Sequence, residues 1–120
     1  MRAAAAARRI LRRMDRIDTL RAFAAQRPDD PFPLYGLAME LRNAQRYDEA
    51  QEVFDRLRAA FPDYLPAYFH AGANLAALGR TEDALARYRD GLDVARRAGD
   101  AKTADEISAA IAELEAKQTE

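Results

Sequence analysis

The sequence predicts an all-α protein built from repeated pairs of antiparallel helices. Two observations predict this fold class. Alanine, leucine, arginine and glutamate favour helix, whereas valine and isoleucine, on which a sheet core would draw, number only two and four. The chain also repeats itself at a spacing of 34 residues, and each repeat carries two stretches with the apolar period of a helix.

The repeat becomes visible when the sequence is shifted against itself by 34 positions, and no gap is needed. This alignment defines repeat 1 as residues 31–64 and repeat 2 as residues 65–98. The matches include Pro28-Asp29 with Pro62-Asp63, Leu41 with Leu75, Ala50 with Ala84, and Phe54 with Tyr88.

Repeat 1 has the pattern of two helices, expected from about Phe32 to Asn43 and from about Asp48 to Ala60. Apolar residues recur every three or four positions in both, which is the helical period. Pro62 ends the second helix, because the residue before a proline avoids the α region. The apolar stripes consist of Leu34, Leu37, Ala38 and Leu41 in the first helix, and of Ala50, Val53, Phe54 and Leu57 in the second.

Repeat 2 follows the same plan. Pro66 suits the first turn of its first helix, and Gly79 ends that helix because glycine readily takes the left-handed cap conformation. Thr81 is the expected N-cap of the second helix. This second helix should run to about Ala98, where Gly99-Asp100 ends it.

Half-units flank the two repeats. Residues 14–27 precede Pro28, which occupies the position of Pro62, so they are expected to form the second helix of a preceding half-repeat. Residues 99–118 have one apolar and one charged face, as a capping helix at the end of a stack requires. With the repeats, these segments form one predicted domain, residues 14–120. The apolar faces consist of Ile17, Leu20, Phe23 and Ala24, and of Ala104, Ile107, Ile111 and Leu114.

Residues 1–13 form a basic N-terminal arm, which is either loose or a backward extension of the first helix. Residues 1–14 carry five arginines and no acid, whereas the remaining 106 residues carry 14 basic and 20 acidic side chains. Met14 is an alternative start of the native protein. Clustered arginines attract phosphates, so binding of nucleic acid or another anionic surface through this arm is the alternative function. Nucleic acid is not the expected partner, because the arm lacks interleaved aromatic residues and the body is acidic.

Several function classes lack the residues that they need. The chain has no cysteine and one histidine, His70, so we expect no disulfide, no metal and no cofactor. No nucleophile–histidine–carboxylate set stands at a telling spacing, and no glycine-rich phosphate loop is present, so we expect no enzyme. No apolar run approaches the roughly 18 residues of a membrane span. Ala3 to Ala7 is too short for a secretory signal, and the expected location is the cytoplasm.

The two repeats resemble the tetratricopeptide repeat family, which has 34 residues per unit and small, aromatic and proline residues at fixed positions. This resemblance covers residues 31–98 well and the flanks more loosely. It implies a short right-handed α-solenoid whose concave groove, lined by the first helix of each unit, binds peptides, helices or another copy. Gly91 and Arg96 depart from the family pattern, so the second helix of repeat 2 should be less regular at its end. The residues that carry the resemblance are Leu34, Leu37, Ala38, Leu41, Ala50, Phe54, Leu57 and Pro62, and then Tyr68, Ala71, Gly72, Leu75, Ala84 and Tyr88.

The resemblance also places candidate groove residues on the first helices. Tyr35, Met39 and Phe69 are large side chains outside the packing stripe, which suggests a surface for another protein, a peptide or a second copy of the chain. In the alternative interpretation, the C-terminal helix or residues 1–13 cover them. The groove positions are Phe32, Tyr35, Met39, Arg42 and Asn43 in repeat 1, and Pro66, Phe69, Ala73, Ala76 and Ala77 in repeat 2.

The polar groove positions leave two interpretations open. Arg42 and Asn43 either add polar contacts or form a solvated helix end, and His70 is expected to be structural or solvent-facing. Some family members hold a peptide's C-terminal carboxylate with lysine and asparagine. The matching positions here are Tyr35, Met39, Phe69 and Ala73, so that mode of binding is not expected. The expected function is a non-enzymatic scaffold or adaptor whose apolar groove takes a ligand such as a helix.

Overall fold

The computed structural model describes residues 2–119, and this part of the chain forms six α-helices. Met1, the first residue of the predicted arm, and Glu120, the last of the predicted domain, lie outside the described residues. Each helix packs against its neighbours in chain order. The radius of gyration is 15.8 Å, whereas a compact domain of this length has roughly 14 Å. The helices therefore form the predicted all-α solenoid: α1 (Arg2–Gln26), α2 (Pro31–Asn43), α3 (Tyr47–Ala60), α4 (Leu65–Ala77), α5 (Thr81–Ala98) and α6 (Ala101–Gln118).

The N-terminal helix α1 includes residues 2–13 without a break, so this segment is a backward extension of the first helix. Ile17 is buried at the contact with α2, and Arg16 lies 3.3 Å from Glu40 of that helix. Since one helix crosses the boundary between residues 13 and 14, the division of the chain at that point remains a prediction.

Three turns that follow helix ends share a left-handed backbone conformation. Gly79 and Gly99 follow α4 and α5 with φ values of +76° and +71°, as the sequence predicts. Gln45 follows α2 with a φ of +61°, although it carries a side chain. A residue with a Cβ is strained by roughly 1–2 kcal/mol in this region. The first of the three turns therefore stores strain that the two glycines avoid.

The prediction that Thr81 is an N-cap is wrong, because Thr81 is already the first residue of α5. The capping position belongs to Arg80, whose side chain makes no capping hydrogen bond. After the left-handed turn at Gly79, the Arg80 carbonyl already accepts a hydrogen bond from Ala84 N at 2.9 Å, so the helix starts one residue early. The predicted irregularity near the end of α5 is also wrong, since the helix continues unbroken to Ala98.

One apolar core continues through the first four helices. Phe54 and Leu57 of α3 and Leu41 of α2 are fully buried at its centre. Helix α1 contributes Ile17 and helix α4 contributes Ala71 to the same cluster. The flanking half-unit therefore completes a core that repeat 1 alone leaves open.

The two helices of the second unit interlock through two contacts between tyrosine and glycine. A Cβ atom at Gly91 would lie 2.6 Å from Tyr68 Cβ, and one at Gly72 would overlap the ring of Tyr88. Both tyrosines are buried. The departure from the family pattern at Gly91 is therefore the space that Tyr68 requires.

Asn74 joins the two units and sets the register of α4 against α3. Its side chain is fully buried, and its Nδ2 donates hydrogen bonds to the Tyr47 carbonyl at 2.9 Å and to Gln51 Oε1 at 3.0 Å. Gln51 is also buried and donates to Asp55 at 3.1 Å. Because buried amides need hydrogen-bond partners, a shift of α4 along α3 would cost these bonds.

Candidate functional site

The first helices of the two units, α2 and α4, contact each other along one side of the stack, the side on which the sequence predicts a groove. Five aromatic rings follow one another there, and we term them the aromatic row. The centroids of successive rings are 5.4–6.4 Å apart, a separation at which tilted and edge-to-face rings attract. The members in spatial order are Phe32, Tyr35, His70, Phe69 and Tyr88.

The aromatic row passes from an exposed end to a buried end. Phe32 is 69% exposed, Tyr35 and Phe69 are half-buried, and Tyr88 is buried. Asp30 holds the exposed end in place, because its Oδ1 accepts a hydrogen bond from Phe32 N at 3.0 Å and caps α2. The row thus presents a fixed aromatic surface, with its largest accessible ring at the start of α2.

Arg42 brings a positive charge to the buried end of the aromatic row. Burial, and then the charge of Arg42, lowers the pKa of His70. Burial raises the pKa of Tyr88, and the same charge opposes that rise. Within residues 2–119, Arg42 forms no salt bridge. A guanidinium that forms no salt bridge within the described residues is suited to a ligand carboxylate.

His70 carries a second polar group at the same place. Its Nδ1 atom is buried and has no hydrogen-bond partner among the residues that the structure describes. The ring lies between Tyr35 and Phe69, with centroids at 5.7 Å and 5.4 Å. The neutral ring therefore completes the aromatic surface and leaves one nitrogen without a protein partner.

Helix α6 forms a further wall of the groove. With α4 and Tyr88 it lines an open cavity of about 170 Å³, to which it contributes Ala110 and Leu114. Glu113 and Lys117 stand at the same cavity, 3.6 Å apart. Since α6 packs against α5 and α1 packs against α2, the structure shows neither flanking helix laid along the groove, which was the alternative left open by the sequence.

The structure brings together most of the groove residues predicted from the sequence. Phe32, Tyr35 and Phe69 lie in the aromatic row, and Ala73 lines the cavity beside α6. Asn43 is separate from them. Its side chain is exposed at the end of α2, and its backbone carbonyl accepts a long hydrogen bond from Arg13, at 3.4 Å. Among the remaining positions, Pro66 and Ala76 are half-buried and Ala77 is exposed.

Tyr35 and Met39 lie outside the packing stripe predicted from the sequence, but they do not stand free of the core. Both are half-buried and pack against the core of the first unit. The physical reason is that α2 also contacts α4, so its packing surface is wider than the stripe that faces α3. Among the predicted groove residues with large apolar side chains, Phe32 is the exposed one, at 69%.

Sequence reasoning missed His70, Tyr88 and the side chains of α6 as parts of the groove. His70 was expected to be structural or solvent-facing, and Tyr88 was named only as a residue that carries the family resemblance. No local pattern marks either residue, because the rings around them come from different helices. The register of α6 is equally hidden, since this helix has no aligned counterpart in the 34-residue repeat.

Neither a metal-binding cluster nor a membrane-spanning helix is found within residues 2–119. Residues 2–119 bring no three metal-ligating side chains together. Every helix in this range is too short or too polar to span a bilayer.

Comparisons with known proteins agree with the repeat pattern. A sequence model of the tetratricopeptide repeat matches residues 31–75, whereas a search of curated proteins finds no match. The solution structure of a tetratricopeptide repeat domain protein from Salinibacter ruber is 36% identical in sequence and has a TM-score of 0.70. That alignment covers 74% of this chain and 90% of the other.

Two more distant structures share the fold. The type III secretion translocator chaperone SycD of Yersinia enterocolitica is 14% identical, with a TM-score of 0.81, over 98% of this chain and 82% of its own. PcrH, solved in complex with the chaperone binding region of PopD, is 15% identical, with a TM-score of 0.81, over 92% of this chain and 84% of its own. Given the repeat match and the Salinibacter ruber relative, this chain belongs to the tetratricopeptide repeat family.

Proposed function

We propose that this chain is a non-catalytic adaptor whose groove binds a peptide or helix of another protein. The observation that carries the proposal is the aromatic row, a continuous aromatic surface whose outer member, Phe32, is 69% exposed. Large accessible aromatic side chains are typical of the centre of protein interfaces, where burial of a few such rings supplies much of the affinity. The cytoplasmic location predicted from the sequence belongs to the same proposal.

Arg42 indicates the chemistry of the ligand. Its charge reaches His70 and Tyr88, and it forms no salt bridge with a carboxylate within residues 2–119. A ligand that combined apolar side chains for the aromatic row with one Asp or Glu for Arg42 would satisfy both. Burial of that pair beside the rings would strengthen it, because water would compete less for the carboxylate.

A protein of the same fold offers a precedent for the kind of ligand. PcrH was solved with a region of its partner PopD, which shows that a stack of this kind accommodates a segment of another chain. For the present chain, we infer a segment long enough to run from Phe32 to the cavity at α6, across both units. Ala73 and Ala76 are small, so a helix with its apolar face toward the groove can approach closely.

Selection from a random displayed-peptide library tests this function, because the library samples many ligand sequences at once. The immobilised chain should enrich peptides with two or more apolar or aromatic residues and one acidic residue. Fluorescence anisotropy of a selected peptide then compares the wild type with Phe32→Ala and Arg42→Gln. We expect each substitution to weaken binding by about five- to tenfold, as loss of an interface anchor does.

Phe23→Ala is the matched control, because Phe23 is also an exposed phenylalanine but lies on α1, away from the groove. This variant should bind the selected peptide as the wild type does. Equal affinity of all four proteins would place binding outside the groove and refute the assignment. Enrichment of basic peptides would contradict the role given to Arg42.

The alternative function, binding of an anionic surface through the arginines of α1, is also supported by one observation. Arg8, Arg9 and Arg12 are exposed on the helix that also exposes Ile10 and Leu11. Salt separates the two functions, because contacts to phosphates weaken steeply as salt rises and apolar groove contacts do not. Binding that persists at about 0.5 M salt, where charges are screened beyond a few ångströms, would favour the groove.

A further inference from the structure

We propose that copies of this chain join head to tail, with α6 of one copy packed on α1 of the next to complete a third unit across the boundary. The proposal concerns the two ends of the stack and does not depend on what the groove binds. Helix α1 packs against α2 as the second helix of a preceding unit would, and α6 packs against α5 as the first helix of a following unit would. Each end is therefore half of a unit, and the two halves are of complementary kind.

Within residues 2–119, no first helix covers the outer face of α1. By the 34-residue spacing, Phe23 corresponds to Leu57, yet Phe23 is 42% exposed and Leu57 is fully buried. Arg16 corresponds in the same way to Ala50, which is fully buried, while the Arg16 side chain is 52% exposed. The difference arises because α3 has α2 as the partner within its own unit, and no helix of residues 2–119 takes that place beside α1.

Among the described helices, no second helix covers the outer face of α6. Counted from the start of its helix, Ser108 of α6 occupies the position of Gly72 in α4. Gly72 is buried against the Tyr88 ring of α5, whereas Ser108 is exposed. A second helix laid on α6 would therefore find the same kind of small residue that receives Tyr88 within repeat 2.

The two uncovered faces match in length and shape. Both follow positions that alternate steps of three and four residues, so each forms one stripe along its helix, about 21 Å long. The small members of the α6 stripe allow close approach, and Phe23 on α1 supplies a large side chain to fill the contact. The exposed stripes consist of Arg9, Arg12, Arg16, Thr19 and Phe23 on α1, and of Ala101, Asp105, Ser108, Ala112 and Glu115 on α6.

Charge selects opposite ends as partners. Helix α1 carries seven arginines and two aspartates, whereas α6 carries four acidic residues and two lysines. The charged members of the α1 stripe are all basic, and those of the α6 stripe are all acidic. Contact between two α1 stripes would bring arginines together, which costs free energy. A contact of α1 with α6 is heterologous, so it produces open chains or closed rings of copies.

Charge reversal at the two ends tests the proposal on the full chain. The head variant is Arg9→Glu/Arg12→Glu, the tail variant is Asp105→Arg/Glu115→Arg, and a fourfold variant combines all these changes. Sedimentation velocity over a concentration series measures the mass. We expect the wild type to grow beyond a dimer, and the head and tail variants to stay at the 13.4 kDa monomer, with association weakened by more than about tenfold. The fourfold variant restores opposite charges with the signs exchanged, so it should assemble again.

Arg56→Glu/Arg89→Glu is the matched control, because both residues are exposed on α3 and α5 and the net charge changes as in the head variant. This control should assemble like the wild type, and far-UV circular dichroism establishes that every variant is folded. A wild type that stays monomeric throughout the series would overturn the proposal. A dimer that survives the tail variant would overturn it as well, since that contact would not use the α6 stripe, and so would a monomeric fourfold variant.

Discussion

Replacement of Gly91 by alanine tests whether α4 and α5 approach as closely as the structure shows. The added Cβ would lie 2.6 Å from Tyr68 Cβ. Because that atom is bonded directly to the backbone, no rotation of the Tyr68 side chain removes the overlap, and the helices must move apart. Gly36→Ala is the matched control. Its Cβ would lie 3.2 Å from the flexible end of the Leu20 side chain, which can rotate away.

The two substitutions are expected to change the free energy of unfolding in opposite directions. In a helix interior, alanine is more favourable than glycine by up to about 1 kcal/mol. Overpacking in a well-packed core costs about 1–3 kcal/mol, and the overlap at Gly91 belongs in the upper part of that range because the backbone itself must move. Gly91→Ala should therefore lower the free energy of unfolding by about 1–2 kcal/mol. Gly36→Ala should leave it unchanged or raise it by up to about 1 kcal/mol.

Urea unfolding followed by far-UV circular dichroism measures both changes on one scale. A difference of about 2 kcal/mol between the two variants corresponds to about 8 °C in melting temperature for a domain of this size. The denaturant slope should stay constant, because the surface exposed on unfolding does not change. If Gly91→Ala proves as stable as Gly36→Ala, the close contact with Tyr68 is wrong, and so is the explanation of Gly91 as space for that ring.

Three further predictions concern the core, a turn and the groove. Phe54→Ala should lower the free energy of unfolding by about 3–5 kcal/mol, because Phe54 is fully buried, whereas Phe32→Ala, at 69% exposure, should leave urea unfolding nearly unchanged. Gln45→Gly should raise the melting temperature by relieving a φ of +61°, with a gain of about 0.5–1 kcal/mol after the entropy of glycine is subtracted; a lower melting temperature would contradict the strain. Burial and then the charge of Arg42 lower the pKa of His70 below its ordinary 6.5. As the pH drops below about 6.5, His70 therefore takes up a proton in the unfolded chain before it does so in the folded one, and the free energy of unfolding falls. His70→Gln should lose less stability than the wild type when urea midpoints at about pH 7.5 and about pH 5 are compared, and equal losses would contradict the shift.

Much of the fold was predictable from the sequence because its causes are local. The 34-residue repeat, the apolar period of each helix and the helix ends at Gly79 and Gly99 depend on residues close together in the chain. A glycine can adopt the left-handed conformation wherever it stands, so its position predicts a turn without reference to other helices. The turn at Gln45 shows the limit, since nothing local marks a residue with a side chain for the same conformation.

Part of the candidate groove was predictable by the same means, through the spacing that places Phe32, Tyr35 and Phe69 on first helices. The sequence did not predict which of these side chains remain accessible to solvent. Tyr35 loses exposure to a neighbouring helix, and the aromatic row depends on Tyr88 of α5, which the spacing did not place in the groove.

By itself, the sequence determined the helical class, the number of full repeats, the order of the helices and the opposite charges of the two ends, because each follows from composition or from short-range periodicity. The tertiary structure alone decided how the helices face one another. It placed Tyr68 in the space at Gly91, bonded Asn74 to Gln51 across the two units and brought His70 of α4 against Tyr35 of α2. Those contacts join residues that are distant in the chain, so they depend on the distance and register between packed helices, which no local pattern records.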